Sequence, residues 1–179
     1  MLKAGIDDRF TPIVPQTLNW ILYHARRFDE AIAATRNFIK DEPRYGLSLL
    51  FFGSMLWRVG QFEEAIRVCR RSVELLGRTL YTLVWLAAAC AAGGDPDEAY
   101  QLIAEIDELS LRRYVSPYLL AMIYANLNDR EKAFSLLEKA WEVRDGRLHW
   151  LGIDPQFDCL RDDARLNDLL SSMNHPLAV

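Results

Sequence analysis

An alanine recurs every 34 residues. Ala31, Ala65, Ala99 and Ala133 stand at equal intervals, inside the segments RRFDEAIAATRNF, GQFEEAIRVCRRS, GDPDEAYQLIAEI and NDREKAFSLLEKA. Three identical intervals in succession make an internal repeat the first constraint on the fold, because a recurring unit must bury its apolar face against its own copies. Setting the shared alanine at position 20 of each unit divides the chain into residues 12–45, 46–79, 80–113 and 114–147. A lead of residues 1–11 precedes them and residues 148–179 follow.

Each unit reads as a helical hairpin. The first helix of a unit is apolar nearly all round, as in Leu47 to Trp57 and Leu80 to Ala92, and the second is amphipathic and carries the alanine. Between them lie Gly60, Gly93, Gly94 and Asn128, residues that tolerate positive φ. Asp95-Pro96-Asp97-Glu98 supplies an N-cap, a proline in the first turn and acids behind it, and Ser116-Pro117 repeats the cap-and-proline signal. In the second unit Glu63 with Arg67, and Arg70 with Glu74, have the i,i+4 spacing of ion pairs on a solvated helix face. Position 8 holds Gly53, Ala87 and Ala121, small enough for two helices to approach closely, whereas the first unit departs with Asn19. This architecture accounts for a hydrophobic fraction of 51% in a chain of only 179 residues: each first helix is flanked by its own partner and by the next unit.

The period, the alanine and the large apolar residues at position 7 (Leu18, Phe52, Leu86, Leu120) resemble the tetratricopeptide repeat, over 136 of the 179 residues. The resemblance implies an all-α fold, a right-handed α-solenoid of four hairpins. A C-terminal capping helix closes it, formed by the stripe Leu166, Leu169, Leu170 and Met173. The tail also resembles the ends of tetratricopeptide arrays in bacterial multidomain regulators. Arg144 to Leu148, Asp154-Pro155-Gln156-Phe157-Asp158 and Asp163-Ala164-Arg165-Leu166 carry that likeness, with Phe157 and Leu160 expected to pin the loop against the last hairpin.

Catalytic chemistry is not legible. His24, His149 and His175 are scattered, and Cys69 and Cys90 fall at packed positions of their units, leaving only Cys159 outside the array. Asp154, Asp158, Asp162 and Asp163 suit helix starts and cap loops. No GxGxxG, Walker, HExxH or GxSxG pattern occurs, so no enzyme, cofactor or metal site is expected. A net charge of −4 argues against direct contact with nucleic acid, which needs a basic surface. The longest apolar runs fall short of a bilayer span, and Asp7 and Asp8 interrupt any export signal, so a cytoplasmic protein is expected.

Function is therefore expected on the concave face. By the resemblance, positions 2, 5, 9, 12 and 13 of each unit face a protein or peptide partner. Here they place Trp20, Tyr23, His24, Leu50, Trp57, Arg58, Tyr81, Val84, Tyr118, Met122 and Asn126 in the groove. It is aromatic and aliphatic, with His24 and Arg58 as polar edges, which suits an apolar or amphipathic segment or a second copy of the chain. The carboxylate-clamp version of the family is excluded, since position 5 holds Gln16, Leu50, Val84 and Tyr118 where a lysine is required. The reading is a non-enzymatic adaptor or regulatory module. The alternative is an acidic secretion chaperone holding an apolar segment of an export substrate.

Overall fold

The computed structural model describes residues 13–177; the lead and the side chain of Gln16 lie outside the described residues. Among the described residues all regular structure is helical. Helices α1 (Ile13–His24), α2 (Phe28–Asp41), α3 (Gly46–Arg58), α4 (Phe62–Leu76), α5 (Leu80–Ala92), α6 (Pro96–Ser110), α7 (Pro117–Asn126) and α8 (Arg130–Glu142) follow one another. Two 3-10 turns, Gly146–Trp150 and Pro155–Leu160, then lead to α9 (Ala164–Ser172). Helices pack in consecutive pairs, α1 with α2, α3 with α4, α5 with α6 and α7 with α8, and the odd-numbered helices also pack on one another. The four periodic alanines lie in the even-numbered helices and are fully buried. A larger side chain there would push the two helices of a pair apart.

The turn inside each pair repeats as faithfully as the alanine. Arg26, Gly60, Gly94 and Asn128, 34 residues apart, all adopt the left-handed conformation, with φ of 61°, 79°, 79° and 60°. The next residue's N–H then reaches back to the carbonyl of Leu22, Leu56, Cys90 or Tyr124 at 2.9, 2.9, 3.0 and 2.9 Å, the bond that ends a helix in a Schellman motif. Glycine and asparagine do this cheaply. Arg26 does not, and the left-handed conformation costs such a residue about 1 kcal/mol or more. Two helix starts follow the expected caps, Asp95 accepting from the Glu98 N–H and Ser116 from Leu119, and Asp129 caps α8 in the same way by accepting from Lys132.

The ion pairs differ from expectation. Arg70 reaches Glu98 on α6 at 2.6 Å rather than Glu74, and Arg67 lies 3.6 Å from Glu64 rather than bonding Glu63. Arg36 reaches Glu64 in the same way, at 2.7 Å. The guanidinium bridges successive even-numbered helices because the neighbouring helix offers a carboxylate one period further on. Such exposed pairs set register and contribute little stability.

The tail departs most from the sequence reading. Helix α9 does pack on α8 through buried Leu166, Leu169 and Leu170. The segment before it does more than sit on the last pair: the second 3-10 turn packs on α7 and also on α3, and its side chains reach α1 and the turn after it.

Candidate functional site

The hollow side of the odd-numbered helices is partly filled by the tail. Gln156, almost fully buried, spans two of them: its Nε2 donates to the Tyr23 hydroxyl at 2.7 Å, and its Oε1 accepts from the Trp57 indole N–H at 3.2 Å. Phe157 is fully buried with its ring edge-on to Tyr118, centroids 5.0 Å apart. Asp154 caps the second 3-10 turn, accepting from the Gln156 N–H at 2.9 Å and from the Tyr118 hydroxyl at 2.7 Å. Three segments meet at Asp158, which takes a two-bond clamp from Arg26 at 2.6 Å each, a bond from Arg58 at 2.9 Å and one from Arg161 at 2.7 Å. The left-handed Arg26 is thus tied to the far end of the chain.

Burial alone would raise the Asp158 carboxyl. The bonds from Arg26 and Arg161 and the charges of Arg26 and Arg58 outweigh it and hold the group at about 2. An acid whose pKa is depressed on folding stabilises the fold above its unfolded value, about 3.9, and loses that contribution as pH falls toward 2. Urea unfolding of the wild type and Asp158→Asn at pH 6 and pH 2.5 checks this. The wild type should be the more stable at pH 6, and the gap should shrink or vanish at pH 2.5.

Where the tail leaves the hollow open, a cavity of about 350 Å³ remains, walled by Thr17, Trp20, Phe51, Tyr81, Trp85, Tyr118, Leu119, Met122, Arg147, Trp150 and Asp154. Of the groove residues expected from sequence, the structure brings Trp20, Tyr81, Tyr118 and Met122 together here. Tyr23, Leu50, Trp57 and Val84 are buried and not in its wall. Leu50 and Val84 are covered because the odd-numbered helices pack directly on each other, and Tyr23 and Trp57 because Gln156 covers them. His24, expected as a polar edge, lies between the rings of Trp20 and Trp150, at 4.4 and 4.6 Å, with Nδ1 on the Trp20 carbonyl at 2.9 Å. Arg58 is engaged by Asp158, and Asn126 donates to the Met122 carbonyl at 2.8 Å.

Sequence reasoning missed Thr17, Phe51, Trp85 and Leu119. They occupy position 6 of the four units and are 34 residues apart, so the period itself carried the signal. Arg147, Trp150 and Asp154 had no such marker, since they come from the tail.

Cys69 and Cys90 are packed thiols, whereas Cys159 is exposed. Cys69 and Cys90 are buried, and burial pushes Cys69 far up and Cys90 up to about 12. Among the described residues no group of three or more histidines, cysteines or acids is placed to hold a metal ion, and no helix is long and apolar enough to cross a membrane.

Comparison with known proteins agrees with this architecture. Tetratricopeptide repeat models match residues 80–105 and 118–145. The chain is similar in fold to a crystal structure of MamA protein, at 20% sequence identity and a TM-score of 0.50, over 95% of this chain and 98% of that one. No curated protein matches significantly. Tetratricopeptide motifs are therefore present at two stretches within an all-α chain whose fold resembles tetratricopeptide-type solenoids. Fold and motifs together support a non-enzymatic role.

Proposed function

We propose that the chain is a protein–protein interaction module, a cytoplasmic adaptor or regulatory unit that receives a segment of a partner in the hollow of its odd-numbered helices. The observation that carries this reading is the open aromatic cavity, where rings from α1, α3, α5, α7 and the tail converge while Tyr23 and Trp57 are covered by the tail. Partly exposed aromatic side chains around a concavity are what anchor residues of a partner bind, and they dominate the energy of such contacts. The occupied part of the hollow narrows the partner: a short segment that inserts one or two side chains fits, whereas a long helix laid along the whole groove would meet the tail.

Trp20 and Tyr81 are partly exposed and pack against the edge of the core, so retained helicity is checked beside recovery. Trp20→Ala with Tyr81→Ala should reduce recovery of the native partner about tenfold or more in a quantitative pull-down. Glu108→Ala, on the exposed face of α6, should leave recovery unchanged. Equal recovery by all three proteins, with helicity retained, would remove the cavity from the interaction.

A further inference from the structure

The chemistry of the cavity wall is more specific than an apolar slot. Rings follow one another along it, Trp150 and Trp20 being linked through His24, which does not itself line the cavity: Trp150 to His24 at 4.6 Å, His24 to Trp20 at 4.4 Å, Trp20 to Phe51 at 5.0 Å, Phe51 to Trp85 at 5.6 Å and Trp85 to Tyr81 at 6.1 Å. Tyr118 and Asp154 also line the cavity. Asp154 is 4% exposed, and among the described residues its carboxylate accepts two hydrogen bonds, from the Tyr118 hydroxyl and the Gln156 N–H. Among the described residues no lysine or arginine forms an ion pair with it. The nearby His24 is held below its ordinary pKa, chiefly by burial. A buried carboxylate without a counter-ion is costly, and burial accordingly raises the Asp154 pKa.

Arg147 also lines the cavity, from the other side. Its guanidinium is half exposed and 3.6 Å from Asp145. Its charge acts on Tyr81 and Tyr114, whereas that of Asp154 acts on Tyr118 and Tyr23. Arg147 is held toward Asp145, whereas at the Asp154 end the charged neighbours are His24, whose field lowers the Asp154 carboxyl, and Arg161, which donates to the Asp154 carbonyl at 3.4 Å; among the described residues neither forms an ion pair with its carboxylate.

We propose that this cavity binds an alkylated ammonium group, with the lining aromatic rings around the methylated nitrogen and Asp154 as its counter-charge. Aromatic faces carry negative potential, and attraction to a cation strengthens once both are removed from water. A cationic head of choline size suits about 350 Å³, and its methyl groups bury against tryptophan as a hydrated ammonium would not. The same head occurs on free choline-like molecules and on trimethylated lysine of a partner protein. The inference deepens the function proposed above and rests on the same cavity being the recognition site.

The test uses the full chain and small probes, so it needs no partner. Three tryptophans line the cavity, and their fluorescence reports occupancy; calorimetry gives the affinity. Choline, tetramethylammonium and a trimethyl-lysine peptide are titrated beside 3,3-dimethylbutan-1-ol, a neutral analogue of choline. At least one cation should bind saturably, and the neutral analogue at least about tenfold more weakly than choline. Tighter binding of the peptide than of choline would assign the source to a protein, and the reverse to a small molecule; both support the proposal. Asp154→Asn keeps an acceptor for the Gln156 N–H and places an amide NH2 that can donate to the Tyr118 oxygen, and should weaken cation binding about tenfold or more. Trp150→Leu, at a half-buried position, should do likewise and guards against a folding defect in the first variant. Equal affinity for the neutral analogue, an unchanged affinity in both variants, or no saturable response to any cation would overturn the proposal. If a cation binds but Trp20→Ala with Tyr81→Ala leaves partner recovery intact, the partner reading fails and the ammonium site stands.

Discussion

Phe157→Ala should lower stability by about 3–5 kcal/mol, which in a chain of this size is a fall in Tm of roughly 10 °C or more. The ring is fully buried although it lies in a connecting segment of 3-10 turns, and it packs on Tyr118 between the tail and α7. Its removal leaves a void flanked by Gln156 and Leu160, both buried, at the point where the tail is held. The loss should therefore spread to the bonds that Gln156 makes with Tyr23 and Trp57. Tryptophan emission should shift to longer wavelength below the global transition as Trp57 and Trp150 become hydrated. A thermal melt followed by circular dichroism and by fluorescence measures both effects. A fall under about 1 kcal/mol would mean that the tail is an accessory.

Gly53→Val should cost about 3 kcal/mol, and Gly53→Ala a smaller amount of the same sign. That sign is informative, because glycine to alanine inside an exposed helix gains up to about 1 kcal/mol. Gly53 is in the middle of α3, where a Cβ would stand 2.5 Å from the Cys69 sulfur and 3.4 Å from the Ala65 carbonyl on α4. The two helices approach closely only because one side chain is missing. Combining Gly53→Ala with Cys69→Ala should recover most of the loss, since the sulfur is the main obstruction. Chemical denaturation of the two single variants and the double variant measures the coupling. Simple additivity would place the strain elsewhere.

The helical pairing was legible in the chain because each repeat uses the same solution. A 34-residue spacing of Ala31, Ala65, Ala99 and Ala133 places the helix that carries each one, and Gly60, Gly94 and Asn128 announce the turns by their conformational tolerance. Arg26 hid the first turn, because an arginine gives no hint of positive φ; only its partner Asp158, far along the chain, shows what accompanies that conformation. The groove was half legible. Trp20, Tyr81, Tyr118 and Met122 line the cavity, but Leu50 and Val84 show that a position facing outward in one hairpin can be covered by the next. Gln156 shows the other limit: nothing in the sequence marks its polar side chain for burial, which is tolerated because both ends of the amide find partners in α1 and α3.

A stack of repeats in which each unit touches only its neighbours behaves as a one-dimensional chain, and either end can fray while the other persists. Here the link from Arg26 to Asp158 joins residues 132 apart in sequence, and Tyr23 to Gln156 joins residues 133 apart. Opening the first hairpin therefore breaks contacts that also hold the last one, so the two ends share a single cooperative event. The linear array has acquired the thermodynamics of a closed domain. Among the described residues this closure spans the longest loop of any side-chain hydrogen bond, which ties the rate of folding to the meeting of its two ends.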